Sequence, residues 1–227
     1  MAKPKTELRK VVERYNLTHE EFKQAERQVL LQEHLKRYGA MRRFCYGKVL
    51  DFACGCGYGT FMLAGNPDVK SVTGIDNSSE AVDWAKEHFA HPKISYLEKD
   101  AREVSGKFDT LVCLETVEHI KDKSIIPAIV KRCSIDNVIV SFPDKKTTHY
   151  NPHHFYDFVR QDIVDMFPEH IVYHIVRFAD STSVLLIRKP KNAPSEILRV
   201  VGAVATRLKE ESNGMRRLIF PRVEVKR

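Results

Sequence analysis

The segment Val49–Gly59, reading VLDFACGCGYG, constrains this chain more than any other. A short apolar strand ending near Asp51 runs directly into Gly55-x-Gly57-x-Gly59 and then into a helical stretch. Glycines at that spacing let the backbone turn tightly and let another molecule lie against it, where side chains would block contact. Alone such a turn is weak evidence, because dinucleotide sites use a related one. Its meaning depends on what surrounds it.

From Gly47 onward, short apolar runs alternate with helical segments. The runs are KVLDFA, SVTGID, ISYLEK, FDTLVCL and NVIVSF, with helices predicted at 58–64, 78–90 and 121–133. That alternation predicts an α/β fold, a doubly wound sheet of parallel strands joined by helices. HIVYHIVRFA and TSVLLIRK, split by Asp180-Ser181, predict a closing hairpin and thus an antiparallel edge. Upstream, Thr18-x-x-Glu21 is a capping box for a long helix reaching about Phe44, striped by Phe22, Val29, Leu30, Leu35 and Tyr38. Downstream, Pro190 to Pro194 is a breaker, and Ser195–Glu211 reads as a helix with Ile197, Val201, Val204 and Leu208 on one face. Residues 212–227 give no structural signal. The expected division is a helical extension over 1–44, a catalytic domain over 45–189 and a basic helical extension over 190–227.

The charge follows the same division. Residues 1–50 carry 12 Lys/Arg and 6 acids, residues 51–187 carry 14 and 20, and residues 188–227 carry 11 and 4. A mildly acidic body thus sits between basic ends, which read either as solvated faces or as attractors for an anionic substrate, nucleic acid or membrane surface. No apolar run approaches the roughly 18 residues that a transmembrane segment needs, and the N-terminus lacks a signal-peptide core, so the expected location is cytoplasmic. The five cysteines (Cys45, Cys54, Cys56, Cys113, Cys133) are odd in number and lie in apolar or glycine-rich segments, so reduced thiols are expected. Cys54 and Cys56 flank Gly55, but one Cys-x-Cys pair is poor zinc spacing.

Three acids sharpen the glycine turn. Asp76 ends the second strand, where a carboxylate can accept two ribose hydroxyls; Asp100-Ala101 follows the third, placed to hold an adenine. Asp51 precedes the glycines, near the ammonium-bearing end of such a ligand. All lie at carboxyl ends of strands, where open α/β sheets bind ligands. With Ala53, Gly55, Gly57, Asn77 and Glu115 they form the candidate cofactor set. Together with FDTLVCLETVEHI, these motifs over about residues 45–187 resemble the class I methyltransferases that use S-adenosylmethionine. The resemblance implies a Rossmann-like, mostly parallel seven-stranded sheet with an antiparallel C-terminal hairpin. It also implies that the N-terminal helix is part of a lid, with His34, Arg37 and Tyr38 near the substrate. The stretch QEHLKRYGAMRRFCYGKVLDFACGCGYG is similar to bacterial sugar- and polysaccharide-associated members.

After the fourth strand comes Glu115-Thr116-Val117-Glu118-His119. A helical turn here would bring Glu115, Glu118 and His119 onto one face. The loop Tyr150–Tyr156, containing His153 and His154, starts from the same side of the sheet. Glu115, Glu118, His119 and His154 are therefore a candidate set for a divalent metal such as Mg, Mn, Fe or Zn. An alcohol is too weak an acid to ionise at neutral pH; a metal lowers its pKa and a neutral histidine, His119 or His154, can take its proton. The other reading is that Glu115 lines the cofactor pocket while Glu118-His119 caps a helix. Glu-x-x-Glu-His with a distal histidine is similar to metal-dependent small-RNA 2′-O-methyltransferases and to ubiquinone-pathway O-methyltransferases. The expected function is O-methylation of a hydroxyl on a sugar, glycoconjugate or other small molecule. Methylation of an RNA ribose and a non-catalytic assembly role are the alternatives, and a homodimer is a candidate state.

Overall fold

The computed structural model describes residues 29–179 and 181–188. Helix α1 (Val29–Met41) ends in a single 3-10 turn, Arg42–Phe44, and leads into strand β1 (Gly47–Phe52). Then follow α2 (Tyr58–Ala64), β2 (Val69–Asp76), α3 (Ser79–His88), β3 (Ile94–Glu98), β4 (Thr110–Cys113), α4 (Ile125–Arg132) and β5 (Asn137–Pro143). Helix α5 (Arg160–Met166) and the hairpin β6 (His170–Arg177) and β7 (Ser181–Arg188) complete the described part.

The sheet has seven strands in the order β3-β2-β1-β4-β5-β7-β6. Pairings among β1 to β5 are parallel, while β7 runs antiparallel to both β5 and β6. This is the expected doubly wound architecture, with β7 inserted beside β5 and β6 left as the edge. Strand order reverses between β1 and β4, and that crevice is where such sheets bind ligands.

Strand periodicity divides the core into two layers. Val49, Val72, Val112, Ile139 and Leu185 point to the face covered by α1, α2 and α3, where Tyr38, Leu63, Val82 and Phe89 pack. Their neighbours Leu50, Leu111, Val138, Val140, Val184 and Leu186 point to the other face and meet Ile126, Ile129, Ile163 and Phe167 from α4 and α5. A strand covered on both faces needs apolar residues at consecutive positions, which is why VLDF, TLVC and NVIVSF read as unbroken runs.

Two elements differ from expectation. The helix expected at 121–133 starts only at Ile125, and Pro127 falls within its first turn, where a missing N–H costs nothing. Helix α5 has no counterpart among the expectations: its seven residues bury only Ile163, too short a stripe to show periodicity. Its start is stabilised by Asp162, whose carboxylate accepts the Val159 N–H at 2.8 Å. The expected N-terminal helix is described only from Val29. The Thr18–Glu21 capping box, Phe22, Asp180, the Pro190–Pro194 breaker and the Ser195–Glu211 helix lie outside the described residues. All five cysteines are buried, and none forms a disulfide.

Candidate active site

Strand β1 ends in a left-handed turn: Ala53, Gly55 and Gly57 have φ of 57°, 55° and 88°. The turn is pinned to β2 by Cys54 N–H donating to the Ile75 carbonyl at 2.9 Å. Gly55 N–H donates to Asp76 Oδ2 at 3.0 Å, and Ser78 N–H donates to Asp76 Oδ1 at 3.0 Å. Two backbone donors thus fix a nearly buried carboxylate at the carboxyl end of β2.

The three glycines answer different demands. Gly55 takes a left-handed conformation on the wall of the large cavity, where a backbone can meet a ligand. Gly57 does not line that cavity. A Cβ on it would fall 2.6 Å from the Ala85 Cβ and 2.9 Å from the Tyr96 hydroxyl, so it serves the packing of α3 and β3. A Cβ on Gly59 would fall 2.2 Å from the Tyr38 ring, so this glycine lets α1 lie across α2. Gly57 is accordingly removed from the ligand-facing set.

Asp51 is corrected in the same way. It is fully buried behind the wall, accepting the Thr60 hydroxyl at 2.6 Å and the Tyr38 hydroxyl at 3.2 Å. Burial pushes its carboxyl up to about 7, and the two hydroxyl donors pull in the opposite direction. Asp51 therefore ties helix α1 and helix α2 to the end of β1. Arg37 is likewise internal, donating to Ser181 Oγ at 3.1 Å, so packing replaces the substrate-side role expected for it. His34 and Tyr38 do reach the cavity, and His34 Nδ1 lies 3.2 Å from the Tyr58 hydroxyl.

The cavity measures about 730 Å³ and runs along the carboxyl ends of β1, β2 and β4. Ala53, Gly55, Asp76 and Asn77 line it at one side, with Asp100 and Ala101 at the next strand end. Glu115 and His119 line the side after β4. Lys99, Arg102, Lys121 and Phe155 also reach it, none of them flagged by motif. Cys54 and Cys56 are wall residues with buried thiols, and burial drives the Cys54 thiol well above its ordinary range.

The Glu-x-x-Glu-His segment does not form the helical turn that its spacing predicts. Glu115 has φ of 49°, so the chain leaves the helical path there, and only Val117–His119 makes a 3-10 turn. Glu115 is consequently turned to β5, where Ser141 Oγ donates to its Oε1 at 2.6 Å and its own N–H donates to Ser141 Oγ at 2.9 Å. It stands outside the metal-type group proposed from the sequence. The other three members meet: ligand-type atoms of Glu118, His119 and His154 all lie within 4.8 Å of one another.

Two hydrogen bonds bring these residues together across about 35 positions of chain. Phe155 N–H donates to the Glu118 carbonyl at 2.8 Å, and the His119 Nδ1–H donates to the His153 carbonyl at 3.1 Å. The Tyr156 hydroxyl adds a bond to the Lys121 carbonyl at 2.7 Å. The His119 and His154 rings stand perpendicular with centroids 4.5 Å apart. His119 Nε2 lies 4.0 Å from Glu118 Oε1, and Glu118 is 1% exposed. A carboxylate so far removed from water is stabilised in its charged form by positive charge nearby, from a protonated imidazole or a cation.

Comparison with known proteins fits this geometry. Residues 49–134 match the family described as a methyltransferase domain. The crystal structure of magnesium protoporphyrin IX methyltransferase from Synechocystis PCC 6803 with bound SAM superposes with a TM-score of 0.57. It is 21% identical, over 70% of this chain and 82% of that one. Residues 49–134 are thus similar to a methyltransferase domain, and the chain shares its fold with that enzyme. Among relatives in sequence, the mitochondrial ubiquinone biosynthesis O-methyltransferase of Saccharomyces cerevisiae is 39% identical over 77 residues, which is 32% of this chain and 25% of that protein. Phosphoethanolamine N-methyltransferase 3 of Arabidopsis thaliana is 38% identical over 91 residues, 37% of this chain and 18% of that protein. The chain thus spans a quarter or less of the length of these two relatives. One is named for methylation at oxygen and the other for methylation at nitrogen. No helix among the described residues is long and apolar enough to cross a membrane.

Proposed function

We propose that this chain transfers the methyl group of S-adenosylmethionine to a hydroxyl of a sugar, glycoconjugate or other small molecule, with a divalent ion at Glu118, His119 and His154. The convergence of those three side chains beside the cavity, with His119 shared between cluster and wall, carries the proposal. The wall around Gly55 and Asp76 suits the cofactor. The carboxylate fixed by Gly55 N–H accepts ribose hydroxyls, Asn77 lies next to it, and Asp100-Ala101 borders the adenine. Glu115, braced by Ser141, faces the reacting end of the cavity.

The cofactor brings a methyl group on a sulfonium, a good leaving group, so the protein has to align the acceptor and handle its proton. Two imidazoles with one carboxylate suit Mn, Fe or Zn more than Mg, which prefers oxygen ligands. A bound ion at this cluster supplies Lewis acidity that lowers the pKa of a hydroxyl. Without one, His119, which lines the cavity, is the group placed to accept the proton, with His154 packed beside it. His34 and Tyr38 from α1 border the same space, consistent with a lid role for that helix.

The test is a methyl-acceptor screen with glycosyl, phenolic, amine and RNA substrates, run with metal-depleted protein and with Mn²⁺ or Zn²⁺ restored. Hydroxyl methylation that disappears on chelation and returns with metal is the expected result. Undiminished turnover after chelation removes the metal, and methylation of amines alone removes the hydroxyl. A second reading, methylation of a ribose hydroxyl in RNA, draws on the cationic and aromatic rim. Lys121 Nζ lies 5.1 Å from the Phe155 ring centroid and Lys123 Nζ 3.8 Å from that of Tyr156. RNA binding that weakens steeply with salt is its signature.

A further inference from the structure

The distal histidine sits on a loop that has its own internal frame. Thr147 is buried, and its Oγ1 lies 2.6 Å from His154 Nδ1. The Asp157 carboxylate grips that threonine from the other end of the loop. Its Oδ1 accepts the Thr147 N–H at 2.6 Å and the Thr148 N–H at 3.1 Å, and its Oδ2 accepts the Thr148 hydroxyl at 2.7 Å. The Thr147 carbonyl takes the N–H groups of Tyr150 and Asn151, and the Asn151 carbonyl takes the His154 N–H. The segment from 147 to 157 therefore closes around one imidazole. Neither Thr147 nor Asp157 lines the cavity or belongs to the three-residue cluster.

His119 shows the same device with a different partner. The His153 carbonyl has no proton to give, so His119 Nδ1 must be the donor, which leaves the lone pair of the neutral ring on Nε2, 4.0 Å from Glu118. A hydroxyl beside His154 can act in either direction, and the direction decides what that ring offers. If Thr147 accepts, Nδ1 holds the proton and Nε2 is a ligand atom. If Thr147 donates, the neutral ring carries its proton on Nε2 and is closed to a metal.

We propose that Thr147, held in place by Asp157, is the positioning residue for His154, taking its Nδ1–H and committing Nε2 to the cluster with Glu118 and His119. The inference rests on the metal reading of that cluster. With both histidines set this way, three lone pairs converge, an arrangement that a cation stabilises.

Calorimetric titration of the full chain with Zn²⁺ and Mn²⁺ tests it. Thr147→Val is expected to weaken metal binding by about tenfold or more, the usual scale for a lost partner of a metal-ligating histidine. Thr147→Ser, which keeps the hydroxyl, should stay within about threefold, and Asp157→Asn should fall between. Affinity for S-adenosylhomocysteine should stay unchanged in all three. Equal metal affinity in Thr147→Val and wild type overturns the positioning role alone, whereas a wild-type protein that binds neither metal removes the metal reading. Nitrogen-15 NMR of the metal-free wild type decides the positioning independently, including if Thr147→Val fails to fold. A proton on His154 Nδ1 supports it, and a bare Nδ1 overturns it.

Discussion

The proposed cofactor side and the proposed acceptor side of this cavity are built in opposite ways. The cofactor side is local: β1, a left-handed turn and α2 are contiguous in sequence, and one carboxylate at the end of β2 pins the turn. The acceptor side gathers side chains from the turn after β4 and from the loop after β5, joined by a few hydrogen bonds between segments 35 residues apart. A strand–turn–helix unit carries its geometry in its own dihedral preferences, whereas a loop cluster depends on every staple that closes it.

Separate failure of the two sides is the strongest test of that contrast. Glu118→Gln should lower turnover of the acceptor found in the screen by at least about 100-fold, the range for loss of a group that handles charge or a proton. Cofactor affinity, measured by calorimetry with S-adenosylhomocysteine, should stay within about threefold. Asp76→Ala should do the reverse, weakening that affinity by about 10- to 100-fold through loss of hydrogen bonds to a charged acceptor. If either variant damages both properties alike, the two sides are one mechanical unit and the contrast fails.

Gly57→Ala probes the packing role directly. The added methyl meets Ala85 and Tyr96 at a residue with φ of 88°, so a stability loss of about 1–3 kcal/mol is expected in denaturant unfolding. A variant as stable as wild type would return Gly57 to the ligand-facing set. A further test concerns Asp51. A folded-state value near 7, above the ordinary carboxylate range, means the folded chain holds a proton that the unfolded chain has lost. Its contribution to stability is therefore complete below about pH 4 and declines as pH rises toward 7, with a slope of at most about 1.4 kcal/mol per pH unit. Asp51→Asn should flatten that decline. An unchanged stability profile between pH 4 and 7 would show that Asp51 is charged in the folded protein.

Legibility in the sequence tracked the same division. The places of Asp76, Asp100 and Gly55 on the cavity wall were readable because strand ends are marked by apolar runs. Asp51 and Gly57 belong to the same motif but face inward, a distinction invisible to spacing. Glu115 misled for a different reason: helical spacing put it beside Glu118, but a left-handed residue at 115 broke the helix and Ser141 captured the carboxylate. Thr147 and Asp157 had no signal at all, because loop partners ten residues apart obey no period.

The chain's sequence by itself determined the doubly wound sheet, the antiparallel hairpin at its end and the glycine turn with its acid, since these rest on periodicity and backbone conformational preference. Only the tertiary structure decided which acids reach the cavity and which sit behind it. It alone set Glu118, His119 and His154 against one another while removing Glu115. Periodicity places a residue on a face of its own element; which distant side chain shares that space depends on how loops are stapled and what burial leaves uncovered.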